Sequence, residues 1–290
     1  MDIRATLSAR ASAPQLERFT EPIRSHHMLT AGGQSIAYHM HDVYECHLFL
    51  GGDADFYVED RKFHLVRGNL IVLNSFQLHR YVVSGGEPYE RVATHFQPEL
   101  VRSVCTQETD LLACFSRDLN AEGNILCLKG RALDDYLSLT DQLHTALASS
   151  DYGGDVLAFT YLVQMLVLIN HAFSASTYEG RSTMPELSQG VMQYINQNLT
   201  RALTLDEIAG HFFLNKSYLS RRFKEETHCS LQNYIILKRI ALAKSLLCDG
   251  RSVSEACTLS GFNDYANFIR CFKKHTQMPP GRYKAAMAKK

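Results

Sequence analysis

The strongest constraint on this chain is that one stretch of it is written twice. The segment TLDEIAGHFFLNKSYLSRRFKEETHCSLQNY (204–234) aligns with SVSEACTLSGFNDYANFIRCFKKHTQMPPGRY (252–283), with one extra residue in the second copy. The matched pairs are Glu207/Glu255, Asn215/Asn263, Leu219/Phe268, Arg221/Arg270, Phe223/Phe272, Lys224/Lys273, Thr227/Thr276 and Tyr234/Tyr283. Each copy opens on a hydroxyl residue with a carboxylate three positions later, the pattern of a capping box. Each predicts helix, short turn, helix: Ala209 or Cys257 allows a close crossing, and an Asn stands ready to cap the second helix. LQNYIILKRIALAKSLL between the copies predicts a longer connecting helix that buries Tyr234, Leu237 and Ala241.

The second helix of each copy turns Leu219 and Phe223, or Phe268 and Phe272, inward. Lys216, Ser217, Ser220, Arg221 and Lys224 then face solvent in the first copy, and Asn267, Arg270, Lys273 and Lys274 in the second. Arg forks to guanine, Asn pairs with adenine and Lys neutralises phosphates, so these helices suit the major groove of double-stranded DNA. A rigid connector would place them in successive grooves if it holds them about 34 Å apart. Charge agrees. The whole chain is formally neutral, yet residues 1–183 carry 14 Lys/Arg against 22 Asp/Glu, and residues 184–290 carry 16 against 8. A polyanion therefore meets the C-terminal part.

The N-terminal part differs in period. From Ser35 to Phe96, short β-branched and aromatic runs (SIAYHMH, YECHLFLGG, ADFYVEDRKFHLVRGN, LIVLNS, LHRYVVSGGE, YERVATHF) predict a small barrel or sandwich. Helical spacing follows to Phe173, with Leu133, Leu137, Thr140, Leu143, His144 and Leu147 near one face. VLAFTYLVQMLVLINHAF (156–173) is apolar but interrupted by Thr160, Gln164 and Asn170, so a buried or subunit-pairing helix is expected, not a membrane span. Eight cysteines without a C-x-x-C pair, and a first segment without a signal-peptide core, predict a reducing, cytoplasmic setting. SASTYEGRSTMPE is the expected boundary.

GFNDYANFIRCFKKHTQMPPGRYK and NKSYLSRRFKEETHCSLQNYI together resemble the C-terminal signature of the AraC/XylS family of bacterial transcription regulators. The resemblance implies two helix-turn-helix units on one chain, base reading by Ser217, Ser220, Arg221, Asn267 and Arg270, and no enzymatic activity. RNA polymerase would be a partner and transcription would be activated. Ala266, Asn267 and Ile269 depart from the family's usual residues, which points the second reading helix toward phosphates. GQSIAYHMHDVYECHLFLG and NSFQLHRY resemble the two cupin motifs, implying a sensor barrel for a small polar effector, a carbohydrate by preference. Tyr38, His39, His41, Tyr44, Glu45, His47 and His79 are the candidate pocket residues. In metal-binding cupins His39, His41, Glu45 and His79 would converge on a divalent ion; a metal-free, hydrogen-bonded pocket without cofactor is the expectation here, with a metal-dependent cupin enzyme as the alternative. Asn74 and Phe76 replace the Pro and Gly of the second motif.

The expected architecture is thus α+β in two domains. Residues 1–177 form a sensing and dimerisation domain, with a cupin-like barrel over 20–97 and helices over 98–173. Residues 178–185 form a linker, and 186–290 an all-α domain with two helix-turn-helix motifs. A homodimer paired through the helices is expected, and a regulatory arm within residues 1–20 is one reading of the first segment.

Overall fold

A computed structural model describes residues 21–116, 125–175 and 182–287. The possible arm and the first part of the expected linker lie outside them. Seven antiparallel strands come first: β1 (Ile23–Thr30), β2 (Tyr44–Gly51), β3 (Asp53–Val58), β4 (Arg61–His64), β5 (Asn69–Leu73), β6 (His79–Ser84) and β7 (Tyr89–Phe96). Short helices α1 (Pro98–Arg102) and α2 (Ala113–Ser116), strand β8 (Ile125–Cys127) and long helices α3 (Arg131–Ala148) and α4 (Gly154–Ala175) follow. The strands make one sheet in the order β1-β7-β2-β5-β8 and a second in the order β4-β3-β6.

Strand alternation divides the side chains cleanly. On β2, Cys46, Leu48 and Leu50 face α3 and α4, joined by Leu70 and Val72 of β5 and Val92 and Phe96 of β7. Their neighbours Phe49, Ile71, Leu73 and Tyr89 point the other way, into the space between the sheets, with Phe56, Val58, Phe63 and Val83. The outer face of the small sheet carries Tyr57 and half-buried Val82. It packs with Tyr38, Met40 and Leu78 against the C-terminal helices, in one core with Val191, Ile195, Ile208, Tyr234 and Leu237.

Two local expectations are corrected. SIAYHMH is not a regular strand; its backbone pairs with β6 at the isolated bridges Ser35–Val82 and His39–His79. On α3 the buried face centres on Tyr136, Thr140, Leu143 and Ala146, while Leu147 is 39% exposed, because the helix packs its flank on α4. Thr183 donates its backbone N–H to the Lys62 carbonyl at 2.8 Å and Met184 is buried, so the chain leaving the expected linker runs along β4.

The C-terminal half is helical: α5 (Glu186–Gln197), α6 (Leu205–His211), α7 (Lys216–Thr227), α8 (Leu231–Cys248), α9 (Val253–Leu259), α10 (Tyr265–Thr276) and α11 (Pro280–Met287). The repeat is physical as well as textual. Thr227 and Thr276 each donate their hydroxyl to the carbonyl four residues back, Phe223 or Phe272, at 2.6 and 2.8 Å. Each helix then ends on a left-handed residue, His228 (φ 52°) or Gln277 (φ 58°). The starts match less closely. Ser252 and Glu255 form the full capping box, whereas Thr204 accepts from the Glu207 N–H without the reciprocal bond. Asn215 caps α7 as expected, but Asp264, not Asn263, caps α10; the residue inserted in the second copy falls here.

Replacing Thr276 by Val removes a buried donor while keeping the shape, and should destabilise the C-terminal half by about 1–3 kcal/mol. Urea unfolding followed by circular dichroism measures this, and an unchanged midpoint would contradict the role given to the hydroxyl.

Candidate functional site: a buried histidine cluster and two basic helices

The barrel interior concentrates ionisable groups where apolar ones are the rule. His41, Glu45, His47, His79 and His95 are all buried. The pleat explains the arrangement: Glu45 and His47 alternate inward on β2, and His95 on β7 lies directly across from Glu45 in register. His41 Nε2, His79 Nε2 and His95 Nε2 stand 3.2, 3.3 and 3.5 Å from Glu45 Oε2. His47 Nδ1 takes the other carboxylate oxygen at 3.1 Å, and its Nε2 meets the Tyr89 hydroxyl at 2.6 Å. Partly exposed His39 stacks obliquely on His79, with ring centroids 4.2 Å apart.

Burial opposes ionisation of Glu45, but His95 and the contacts from His41, His47 and His79 outweigh it and hold the carboxyl well below its ordinary range. Burial also pushes the His41 imidazole down to about 4 against the pull of Glu45, and depresses His39 and His47. The result is an anionic carboxylate beside the His41 and His47 imidazoles, whose charged forms burial disfavours.

Of the seven pocket candidates, His39, His41, Glu45, His47 and His79 come together. Tyr38 and Tyr44 do not. Tyr38 faces outward and packs edge-on against Tyr234 of α8, with centroids 6.2 Å apart. Tyr44 packs on Phe96 and Phe115 under the helical layer. Sequence reading missed His95 and Tyr89. Alternation along YERVATHF could have found them, since both share a face of β7.

On the C-terminal half, Lys216, Ser217, Arg221 and Lys224 are exposed along α7 and Ser220 is partly so; on α10, Arg270, Lys273 and Lys274 are exposed and Asn267 is partly so. Arg270 donates to Asn267 Oδ1 at 2.9 Å, which lays the guanidinium along the helix surface. Lys216 pairs with Asp206 at 2.9 Å and Arg221 lies 3.9 Å from Glu225. Phe213, 96% exposed with φ 55° in the turn before α7, and exposed Tyr218 complete this surface and were not foreseen.

The two halves are joined by polar contacts at buried positions. Lys244 of α8 has no solvent exposure and meets Asp42 at 2.8 Å, the Ser75 carbonyl at 3.1 Å and the His41 carbonyl at 3.3 Å. Tyr283 donates its hydroxyl to the same Asp42 oxygen at 3.1 Å. Lys238 pairs with Glu59 at 2.7 Å. Arg80 donates to the Thr227 carbonyl at the end of α7 and lies over the Tyr57 and Tyr38 rings, 5.0 and 5.7 Å from their centroids.

Two family models match this chain: an AraC-like ligand binding domain over residues 27–160 and a helix-turn-helix domain over 208–286. An HTH-type transcriptional regulator of Bacillus subtilis is 34% identical over 34% of this chain and 13% of its own length. A regulator from the cgkA 5′ region of Pseudoalteromonas carrageenovora is 35% identical over 33% of this chain and 57% of its own. The chain thus spans less than two thirds of either. The lactose operon transcription activator of Staphylococcus xylosus is 21% identical over 82% of both chains. A sheet-rich AraC-like ligand binding domain with the buried cluster, joined to a helix-turn-helix domain with two basic helices, gives this chain the two-domain architecture of the AraC-like family.

Proposed function

We propose that the barrel senses a small polar effector and passes its state to the DNA-binding half through two pairs of adjacent residues. His41 and His79 belong to the interior cluster; Asp42 and Arg80, the next residues, face outward and hold α8 and α7. Neighbours in extended chain point to opposite faces, so any shift of the inner residue moves the outer one. This juxtaposition carries the reading. An effector that favours one docking of the halves changes DNA affinity by the difference in its own affinity for the two arrangements.

A carbohydrate is the effector class we favour, and activation the outcome. The likeness, over 82% of both chains, to a protein named a lactose operon transcription activator supports both. Residues 1–177 sense and dimerise, 178–185 link, and 186–290 bind DNA. Ser217, Ser220, Arg221, Asn267 and Arg270 read bases, while Lys216, Lys224, Lys273 and Lys274 meet phosphates. Val156, Leu157 and Val167 are 60, 49 and 50% exposed on α4, an apolar surface that a second copy covers in a homodimer. The regulator works in the cytoplasm with RNA polymerase as its partner.

Arg221→Ala should weaken a cognate site by about 1–3 kcal/mol and leave nonspecific DNA almost unaffected, as measured by fluorescence anisotropy. Equal loss on both kinds of DNA contradicts base reading. Lys273→Ala should weaken all sequences alike and make the salt dependence shallower by about one unit. Asp42→Ala leaves the Lys244 ammonium buried without its carboxylate, and should cost the docking of the halves about 3–5 kcal/mol. A larger radius of gyration in X-ray scattering is the expected sign; an unchanged profile argues against the latch.

A further inference from the structure

The inner face of the barrel carries a second charge, outside the histidine cluster. Arg91 lies between Tyr89 and His95 in the inward phase of β7, across from Phe49 of β2 and Met28 of β1. It is 7% exposed. Its hydrogen-bond partners are all neutral: Thr30 Oγ1 at 2.6 Å, the Tyr81 hydroxyl at 3.2 Å and Met28 Sδ at 3.7 Å. The guanidinium also lies over the Tyr81 and Tyr89 rings, 4.9 and 4.7 Å from their centroids. Two carboxylates on β2 and β7 could balance the charge, and neither does. Glu90 pairs with exposed His27, and Glu45 is ringed by His41, His79 and His95. Among the described residues Arg91 has no acidic partner.

A buried cation costs several kcal/mol unless charge is returned to it, and hydroxyls, a thioether and aromatic faces return only part. What remains is a planar fork of donors fixed by two rings, the geometry that receives a carboxylate through paired hydrogen bonds. Solvent reaches this side of the barrel. On β1 the outward residues Ile23 and Ser25 are buried, whereas the inward ones are not: His26 is exposed, and Arg24, Met28 and Thr30 are partly so.

We propose that Arg91 receives the carboxylate of an anionic effector, a sugar acid, with the Thr30 and Tyr81 hydroxyls as further contacts. This rests on the reading of the barrel as the sensing site and narrows its effector from carbohydrates in general to acidic ones. The same geometry supplies a route outward. Tyr89, beneath the guanidinium, meets His47 Nε2 at 2.6 Å, and His47 Nδ1 meets Glu45 Oε1 at 3.1 Å. Glu45 Oε2 lies 3.2 Å from His41, whose neighbour Asp42 holds Lys244. A carboxylate that draws Arg91 off the Tyr89 ring therefore acts on a polar chain that ends at the docking surface.

The test uses two pairs of probes that differ only in a carboxylate replacing a hydroxymethyl group: D-galacturonate against D-galactose, and D-glucuronate against D-glucose. Calorimetric titration of the full-length protein should show saturable binding of an acid, with its neutral partner about 10- to 100-fold weaker. R91M, shown by circular dichroism to fold, should lose that preference; R91K, which keeps the charge without the fork, should retain part of it. A neutral sugar bound as tightly as its acid, acid binding unchanged in R91M, or no binding of any of the four probes overturns the proposal and leaves the sensing reading standing. Acid binding that depends on Arg91 but leaves DNA affinity unaltered, measured by fluorescence anisotropy, supports the site and sinks the sensing reading.

Discussion

The arrangement of this molecule depends on one ammonium group withdrawn from water. Desolvating a lysine costs several kcal/mol, recovered only where charge and hydrogen bonds replace the lost hydration. Lys244 finds a carboxylate, Asp42, and the carbonyls of His41 and Ser75, one acceptor for each of its three protons. All three acceptors belong to the barrel. The connecting helix can therefore leave this position only by exposing the ammonium and vacating its partners together. Such a contact specifies one docking far more sharply than apolar packing, which tolerates sliding.

The same surface shows how the repeat is used. Tyr234 and Tyr283 occupy equivalent places in the two copies, and both reach the segment 38–42: Tyr234 packs on Tyr38, and Tyr283 bonds Asp42. Arg80 adds a cation at the C-terminal end of α7, where the helix dipole and an unsatisfied carbonyl welcome it. A barrel side chain thus caps α7 directly. The inner faces of these same segments carry the histidines and the carboxylate, so the buried ionisable cluster and the docking surface are two sides of one pleated layer.

Much of this was legible in the sequence because it follows from local rules. The duplicated Thr, Phe and Arg positions gave two equivalent helix pairs, and Thr227 and Thr276 make matching bonds in each. Alternation along YECHLFLG puts Glu45 and His47 on one face of the strand and Cys46 and Leu48 on the other, but which face turns inward is set by the helical layer that covers Cys46 and Leu48. What stayed hidden was long-range. His95 joins the cluster through register with Glu45, fixed by hydrogen bonding between strands distant in sequence. Tyr38 and Tyr44 look like pocket residues by composition, but face away because the chain phase at each position reverses them. Lys244 was not singled out, since nothing local announces a barrel carboxylate 202 positions earlier.

The central claim, that the barrel interior and the DNA-binding half are mechanically one unit, is tested most directly by hydrogen–deuterium exchange on full-length Glu45→Gln beside the unaltered chain. If the account holds, faster exchange in residues 38–47 and 77–82 is accompanied by faster exchange at the C-terminal end of α7 and along α8. A change confined to the barrel strands, with α7 and α8 unaffected, would contradict it.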